Sequence, residues 1–306
     1  MPRDVLIVGA GPAGVSAALW ARSLGLEPRV LESAPEAGGQ LLHVHFHPGD
    51  LAGVSAGDGP TIAAAMARQL AEARIEARFG AAATALATGH DGSRPAVIAE
   101  AGERIEADAV LIATGVRRRR LEVPGERELE GRGVSYSATL DRVRFAGKHV
   151  VVAGGGDAAY ENALLLTAVG CTVTLVVRGA PRARAEFRAR VAADPRIEVR
   201  ERTRVTAVIG SDQVRAVRVA GPAGEEEVAA AGIVIKAGVI PNTEWCRAAL
   251  AHDRAGFLAV DASLAASRPR VWAAGDVTRP APLAIAVAIG QGALAAAAIR
   301  NALAAG

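Results

Sequence analysis

The chain has 306 residues, 51% of them hydrophobic and 22% charged, too apolar for a disordered or fibrous protein and long enough for two globular domains. Its net charge is only +3, a small arginine excess that fits an anionic ligand or acidic partner no better than plain compositional bias. Two cysteines far apart in sequence, Cys171 and Cys246, exclude a disulfide scaffold and a thiolate metal site, and they predict a reducing, cytoplasmic location.

The chain opens with a short β-branched run, residues 4–8, that predicts a strand. It passes directly into Gly9-Ala10-Gly11-Pro12-Ala13-Gly14 and an alanine-rich helical stretch to about Leu24. A second strand over residues 28–31 ends at Glu32. Strand, GxGxxG turn, helix, strand and acid in this order form a dinucleotide site. Gly9 makes the turn, Gly11 admits the pyrophosphate to the backbone, and Gly14 lets helix and strand pack. The helix N-terminus presents free N–H groups to the phosphates, and Glu32 is placed to accept ribose hydroxyls. Because the first strand runs straight into a glycine turn, a signal peptide is not expected.

His43, His45 and His47 alternate, so on a strand they would share one face. That geometry suits a metal in principle, but a loop with His45 or His47 as proton donor or substrate contact, or a plain polar loop, fits as well; no metal is expected. Residues 109–112 read as a buried strand ending at Thr114-Gly115. Residues 117–120, four consecutive arginines, suit a 2′-phosphate contact, a docking point for an acidic carrier, or a solvated hinge loop. No aromatics interleave them, so nucleic acid is not expected as a partner.

The opening pattern then recurs. A strand over residues 148–153 leads into Gly154-Gly155-Gly156-Asp157-Ala158-Ala159, a helix to about Ala168, and a strand over residues 172–177 ending at Arg178. A cation here, where the first unit has an acid, favours a 2′-phosphate and hence NADP over NAD. Arg182 and Arg184 follow. Residues 271–274 read as another buried strand with Gly275-Asp276 beyond it, and a closing helix begins near Leu283. No apolar run is expected to reach the roughly 18 residues that span a bilayer, so no membrane partner is expected. The simplest arrangement is one α/β domain of residues 1–112 and 242–306, interrupted by a second of residues 113–241.

Together these residues resemble the low-molecular-weight thioredoxin reductase family of FAD- and NADPH-dependent flavoproteins, over essentially the whole chain. The match rests on both glycine motifs and Glu32, and on Gly38-Gly39-Gln40-Leu41, Pro48-Gly49, Ala113-Thr114-Gly115 and Val123-Pro124-Gly125-Glu126. It continues through Gly131-Arg132-Gly133-Val134-Ser135, Glu161, Pro241-Asn242-Thr243 and Ala274-Gly275-Asp276-Val277. The resemblance implies an α/β fold of two Rossmann-like three-layer domains, the NAD(P)-binding domain inserted into the FAD-binding domain. It implies FAD contacts from Gly9, Gly11, Pro12, Ala13, Gly14, Glu32, Gly39, Gln40, Leu41, Thr114, Gly115, Gly275, Asp276 and Val277. Gly154, Gly156, Asp157, Ala158, Glu161 and Arg178 would hold NADP or NAD. A homodimer is implied as well.

The departures matter more. Where the family carries Cys-Ala-Thr-Cys-Asp, this chain reads Ser137-Ala138-Thr139-Leu140-Asp141. Serine and leucine do not cycle between dithiol and disulfide, so thioredoxin reduction by that route is not expected. Asp141 is left either for another proton transfer or for capping a helix. Leu283-Ala284-Ile285 stands where the family has Arg-Gln-Ala, Phe46 where it has a flavin-contacting asparagine, and Val177-Arg178-Gly179 where it has His-Arg-Arg. The last change removes one arginine and leaves NADH open. The expected function is an NAD(P)H-dependent flavin oxidoreductase that hands electrons to an unidentified small molecule or electron carrier. The alternative is a partner-dependent electron-transfer or nucleotide-sensing subunit, including a ferredoxin–NADP reductase-like role. The chain's end at Gly306, without the extension those reductases carry over the flavin, weighs against that last variant.

Overall fold

The structure is a computed structural model that describes residues 3–87 and 93–305. By internal contacts the chain forms two units, residues 1–117 with 240–306 and residues 118–239. These boundaries are slightly displaced from the expected ones. The connecting segments explain the displacement, because each runs on as a short extended strand before its unit begins or ends.

The first unit begins β1 (Asp4–Val8), α1 (Pro12–Ser23), β2 (Glu27–Leu31), α2 (Gly59–Glu72) and β3 (Glu76–Arg78). An antiparallel set follows, β4 (Ala83–Ala87), β5 (Ala96–Ala99) and β6 (Arg104–Glu106), and then β7 (Ala109–Ile112). The connector β8 (Val116–Arg118) leads out. The second unit holds β9 (Val134–Ser135), α3 (Ala138–Phe145), β10 (His149–Ala153), α4 (Asp157–Thr167), β11 (Thr172–Val177), α5 (Ala185–Ala192) and β12 (Ile197–Glu201). Its antiparallel set is β13 (Arg204–Gly210), β14 (Val214–Gly221) and β15 (Gly224–Ala229), after which β16 (Gly232–Ile235) returns to the main sheet. The chain comes back through β17 (Val239–Pro241) and completes the first unit with β18 (Val271–Ala273) and α6 (Ile285–Ala305).

Both units solve the same packing problem. In the first, the parallel sheet runs β18-β7-β1-β2-β3. Alternate side chains go to opposite faces: Val5 and Ile7 pack with α1 and α6, and Leu6 and Val8 pack toward β5 and Leu258. The second sheet runs β12-β11-β10-β16-β9, also parallel. Val150 and Val152 face the helices, while Val151 and Ala153 face β13 and β14. Each unit is thus helices, sheet, sheet: three layers with both faces of the central sheet covered.

One expectation needs correction. α6 has 21 residues and is long and apolar enough, by length and composition, to cross a membrane. It was missed because its apolar content is mostly alanine with Gly290 and Gly292 between. Here one face of it, Ala288, Gly292, Ala295, Ala296, Ile299 and Leu303, is buried. The approach to α1 is close: a Cβ on Gly292 would lie 2.2 Å from the Ala13 carbonyl oxygen, and Ser16 Oγ donates to the Ile289 carbonyl at 2.7 Å.

Candidate functional site

Ligands of open α/β sheets bind beyond the carboxyl ends of the strands. In the first unit those ends are aligned by register, with Val8 opposite Leu31 and Ile112, and Ile112 opposite Ala273. Four turns therefore converge on one edge. Gly9 has φ +111°, and a Cβ there would lie 2.4 Å from the Ala113 carbonyl oxygen. A Cβ on Gly14 would lie 1.9 Å from the Gly9 carbonyl oxygen. These two glycines are packing requirements. Gly11 is different: a Cβ there meets nothing within 4 Å, so its backbone borders open space. It is also the N-cap of α1, with Pro12 at the first helical position and no side chain capping the turn. The N–H groups of the first turn, Ala13 and Gly14 among them, remain for a ligand. Gly39 closes one side, since a Cβ there would come within 3.2 Å of the Gly11 Cα. Beside it, Gln40 is exposed and Leu41 is buried.

Glu32 does more than the sequence indicated. Its Oε2 accepts the Ala10 N–H at 2.6 Å, and its Oε1 accepts the Ala34 N–H at 2.8 Å and Ser33 Oγ at 3.1 Å. Most of its acceptor capacity shapes the two turns, and Oε2 keeps one lone-pair direction for a ribose hydroxyl. Thr114 and Asn242 lock reciprocally, Thr114 Oγ1 donating to the Asn242 carbonyl and Asn242 Nδ2 to the Thr114 carbonyl, each at 2.8 Å. Gly115 beyond takes φ +59°. Gly275, at φ +81°, has its N–H held by Gln291 Oε1 at 2.8 Å, and Val277 is fully buried.

The decisive atom is Asp276 Oδ1, which is buried and has no hydrogen-bond partner among the described residues. Burial holds its carboxyl above the usual range. An orphaned buried acceptor is costly unless something outside the protein satisfies it. It lies on the edge that carries the open helix N-terminus and the Glu32 lone pair, and the set fits a dinucleotide such as FAD.

The second unit repeats this edge, with Ala153 opposite Val176 and Ile235. A Cβ on Gly154 would lie 2.4 Å from the Lys236 carbonyl oxygen, whereas Gly156 meets nothing within 4 Å and is the N-cap of α4. The N–H groups of Ala158 and its neighbours open this turn. Asp157 is committed elsewhere, accepting Arg184 N–H and Nε, each at 2.7 Å, which pins the loop after β11. Arg178, Arg182 and Glu161 are exposed or partly so.

A profile described as pyridine nucleotide-disulphide oxidoreductase matches residues 3–292. The chain belongs to this family. It is 34% identical over 296 residues to a Pseudomonas putida protein named as a subunit of alkyl hydroperoxide reductase, covering 95% of this chain but 56% of that relative, so it spans little more than half that protein's length. It is 35% identical over 285 residues to a thioredoxin reductase of Streptomyces clavuligerus, covering 90% of this chain and 86% of the relative. The solved thioredoxin reductase of Lactococcus lactis superposes with a TM-score of 0.84 at 29% identity, covering 99% of each chain. The likeness fits the two Rossmann-like units described above.

In the second unit, residues 137–141 lead into and form the first turn of α3. The Ala138 N–H is held by buried Asn162 Oδ1 at 2.9 Å. Asp141 accepts Arg144 Nη1 at 3.3 Å, one turn along the helix. Leu140 is exposed. His45 and His47 do not lie on a strand. A short 3-10 turn, Gly39–His43, comes first, and His45 and His47 follow it in irregular chain. Gly38 and Gly39 at φ +132° and +53° force the turn, and His47 Nδ1 pairs with the Gly57 carbonyl at 2.9 Å. Among the described residues no group of three metal-ligating side chains forms. Of the arginine run, Arg117 pairs with Glu244, and Arg120 pairs with Glu130 while stacking on Tyr136. Arg119 Nη2 reaches the Val239 carbonyl.

Sequence reasoning missed Lys236, at the carboxyl end of β16. Its Nζ donates to the Tyr136 carbonyl at 2.6 Å. Burial first, and Arg118 second, push its ammonium down to about 8 against the pull of Glu161. A signal was present: Lys148 and Lys236 are the only lysines among 35 basic residues.

Proposed function

We propose that this chain is an FAD-dependent NAD(P)H oxidoreductase that delivers electrons to its acceptor without a protein dithiol. The observation that carries the reading is the repeated edge. In each unit an uncapped helix N-terminus borders open space at a glycine, Gly11 or Gly156, with Glu32 after one second strand and Arg178 after the other. Bound FAD would supply the redox chemistry and the reduced nicotinamide its hydride. The protein's share is binding and orientation. The first turns of α1 and α4 take the two pyrophosphates, Glu32 and Asp276 accept hydroxyl protons on the FAD side, and Arg178 with Arg182 favours the 2′-phosphate of NADPH.

The absence of a dithiol route is supported by the thiols themselves. Ser137 and Leu140 carry none, and Cys171 and Cys246 are both buried and unbridged. Burial pushes the Cys246 thiol up to about 12 and the Cys171 thiol up as well, so neither supplies a thiolate at neutral pH. Two buried free thiols also support the proposed reducing compartment. Exposed Trp20 on α1 and Leu294 on α6 supply apolar surface for the proposed homodimer.

A second reading is a partner-dependent electron-transfer subunit. It is favoured by the likeness to a protein named as a subunit, of which this chain spans 56%. Anaerobic absorbance titration with NADPH and NADH separately tests the first reading. Bleaching of the flavin by either supports it and names the cosubstrate, and turnover with small acceptors such as quinones then separates it from the second. A flavin that neither nucleotide bleaches would refute it.

A further inference from the structure

Lys236 has a position that the proposed chemistry does not yet use. The second unit's sheet runs β12-β11-β10-β16-β9, so the order of connection reverses at β10, with β11 on one side and β16 on the other. A dinucleotide laid across such a switch point puts its pyrophosphate at the helix after the first strand and its adenosine half beyond the next, here α4 and Arg178. Its nicotinamide half then falls on the other side, at the carboxyl end of β16. Lys236 is the first residue past that end. Its N–H donates to the Ala153 carbonyl at 2.7 Å, and its carbonyl packs against the Gly154 turn.

The side chain is half-buried and pinned. Its hydrogen bond to the Tyr136 carbonyl at 2.6 Å uses one of three ammonium protons. Glu161 faces it from the second turn of α4, and Arg118 from β8. Tyr136 does not compete with it for a proton near neutral pH, because its hydroxyl donates to Glu126 Oε1 at 2.7 Å and burial holds it well above the usual phenol range. Glu130 and Arg120 lie on the Tyr136 ring side and are paired to each other.

We propose that Lys236 discriminates the charge of the nicotinamide ring, its ammonium group weakening the binding of the oxidised pyridinium form relative to the uncharged reduced form. The physical basis is plain repulsion. NAD(P)+ carries a positive ring and NAD(P)H does not, while their phosphates and riboses are the same, so a fixed cation beside the ring acts on the difference alone. An oxidoreductase that consumes NAD(P)H gains from this, because product leaves more readily and inhibits less. The inference rests on the second unit binding the dinucleotide as proposed above.

The test is a set of dissociation constants measured on the oxidised flavoprotein. The probes are NADP+ and tetrahydro-NADP, whose ring is uncharged and donates no hydride, with the NAD pair run alongside. A cation next to a pyridinium in a partly screened site is worth about three- to tenfold in binding. Wild-type protein near pH 7 is expected to prefer the uncharged analogue by that factor, and the preference is expected to fade as pH rises through about 8. Lys236→Met is expected to abolish it and its pH dependence, while Lys236→Arg keeps it at high pH. Four results overturn the proposal: a preference unchanged in Lys236→Met, both probes weakened equally, a wild-type preference flat with pH, or none at all. If Lys236→Met does not fold, the wild-type pH series and Lys236→Arg still decide. If no probe binds to the wild type, the dinucleotide reading falls with it, and that result is distinct from binding without discrimination.

Discussion

Asp276→Asn is expected to move stability and flavin affinity in opposite directions. Among the described residues, Asp276 Oδ1 is buried without a partner, and burial raises the carboxyl's pKa. The native state therefore holds its proton to higher pH than the unfolded chain does. Stability falls as pH rises from about 4 through the raised native value, and the full penalty is in place above it. At pH near 7.5 the variant lacks that penalty, and an unsatisfied buried acceptor costs about 1–3 kcal/mol. Allowing for the amide's own unmet donors, the flavin-free variant is expected to gain about 1 kcal/mol. Binding goes the other way. A hydrogen bond to a charged acceptor contributes about 1.5–3 kcal/mol, so FAD affinity is expected to fall by about 10- to 100-fold. Urea unfolding of flavin-free protein and fluorescence titration with FAD measure the two effects. The stability gain is expected to shrink as pH approaches about 4. A flavin-free variant less stable than wild type, with FAD affinity unchanged, would show that Oδ1 is not held for this ligand.

Four further predictions concern the glycine turns and the arginines that follow β11. Gly14→Ala places a Cβ 1.9 Å from the Gly9 carbonyl oxygen and is expected to cost about 3 kcal/mol or more in unfolding free energy. Gly11→Ala meets open space and is expected to leave the urea midpoint of the flavin-free protein nearly unchanged while lowering flavin content. Arg178→Ala is expected to weaken NADPH about tenfold and NADH little, as loss of one charged contact to a 2′-phosphate does. Arg184→Ala is expected to weaken both, because Arg184 is tied to Asp157 beside the α4 N-terminus. Equal losses for the two coenzymes in Arg178→Ala would place that arginine away from the 2′-phosphate.

The sequence determined the two glycine turns because their constraints are local. A positive φ at Gly9 and a missing Cβ at Gly14 are met within a few residues of strand and helix, so spacing along the chain carries the information. The same holds for the apolar runs that become β1, β10 and β11. The histidine stretch shows the limit of local reading, since alternation predicts one face only if a partner strand exists, and two positive-φ glycines turn the chain before it. Tertiary structure alone decided the rest. Glu126 is fully buried and takes a hydrogen bond from Tyr136, ten residues away, Asn162 holds the start of α3 from α4, and Gln291 fixes Gly275 from α6. Lys236 is 100 residues from the carbonyl it binds. Hydrogen bonds of this kind depend on which strand ends the sheet order brings together, and that order is set by burial of both sheet faces over the whole unit rather than by any run of neighbouring residues.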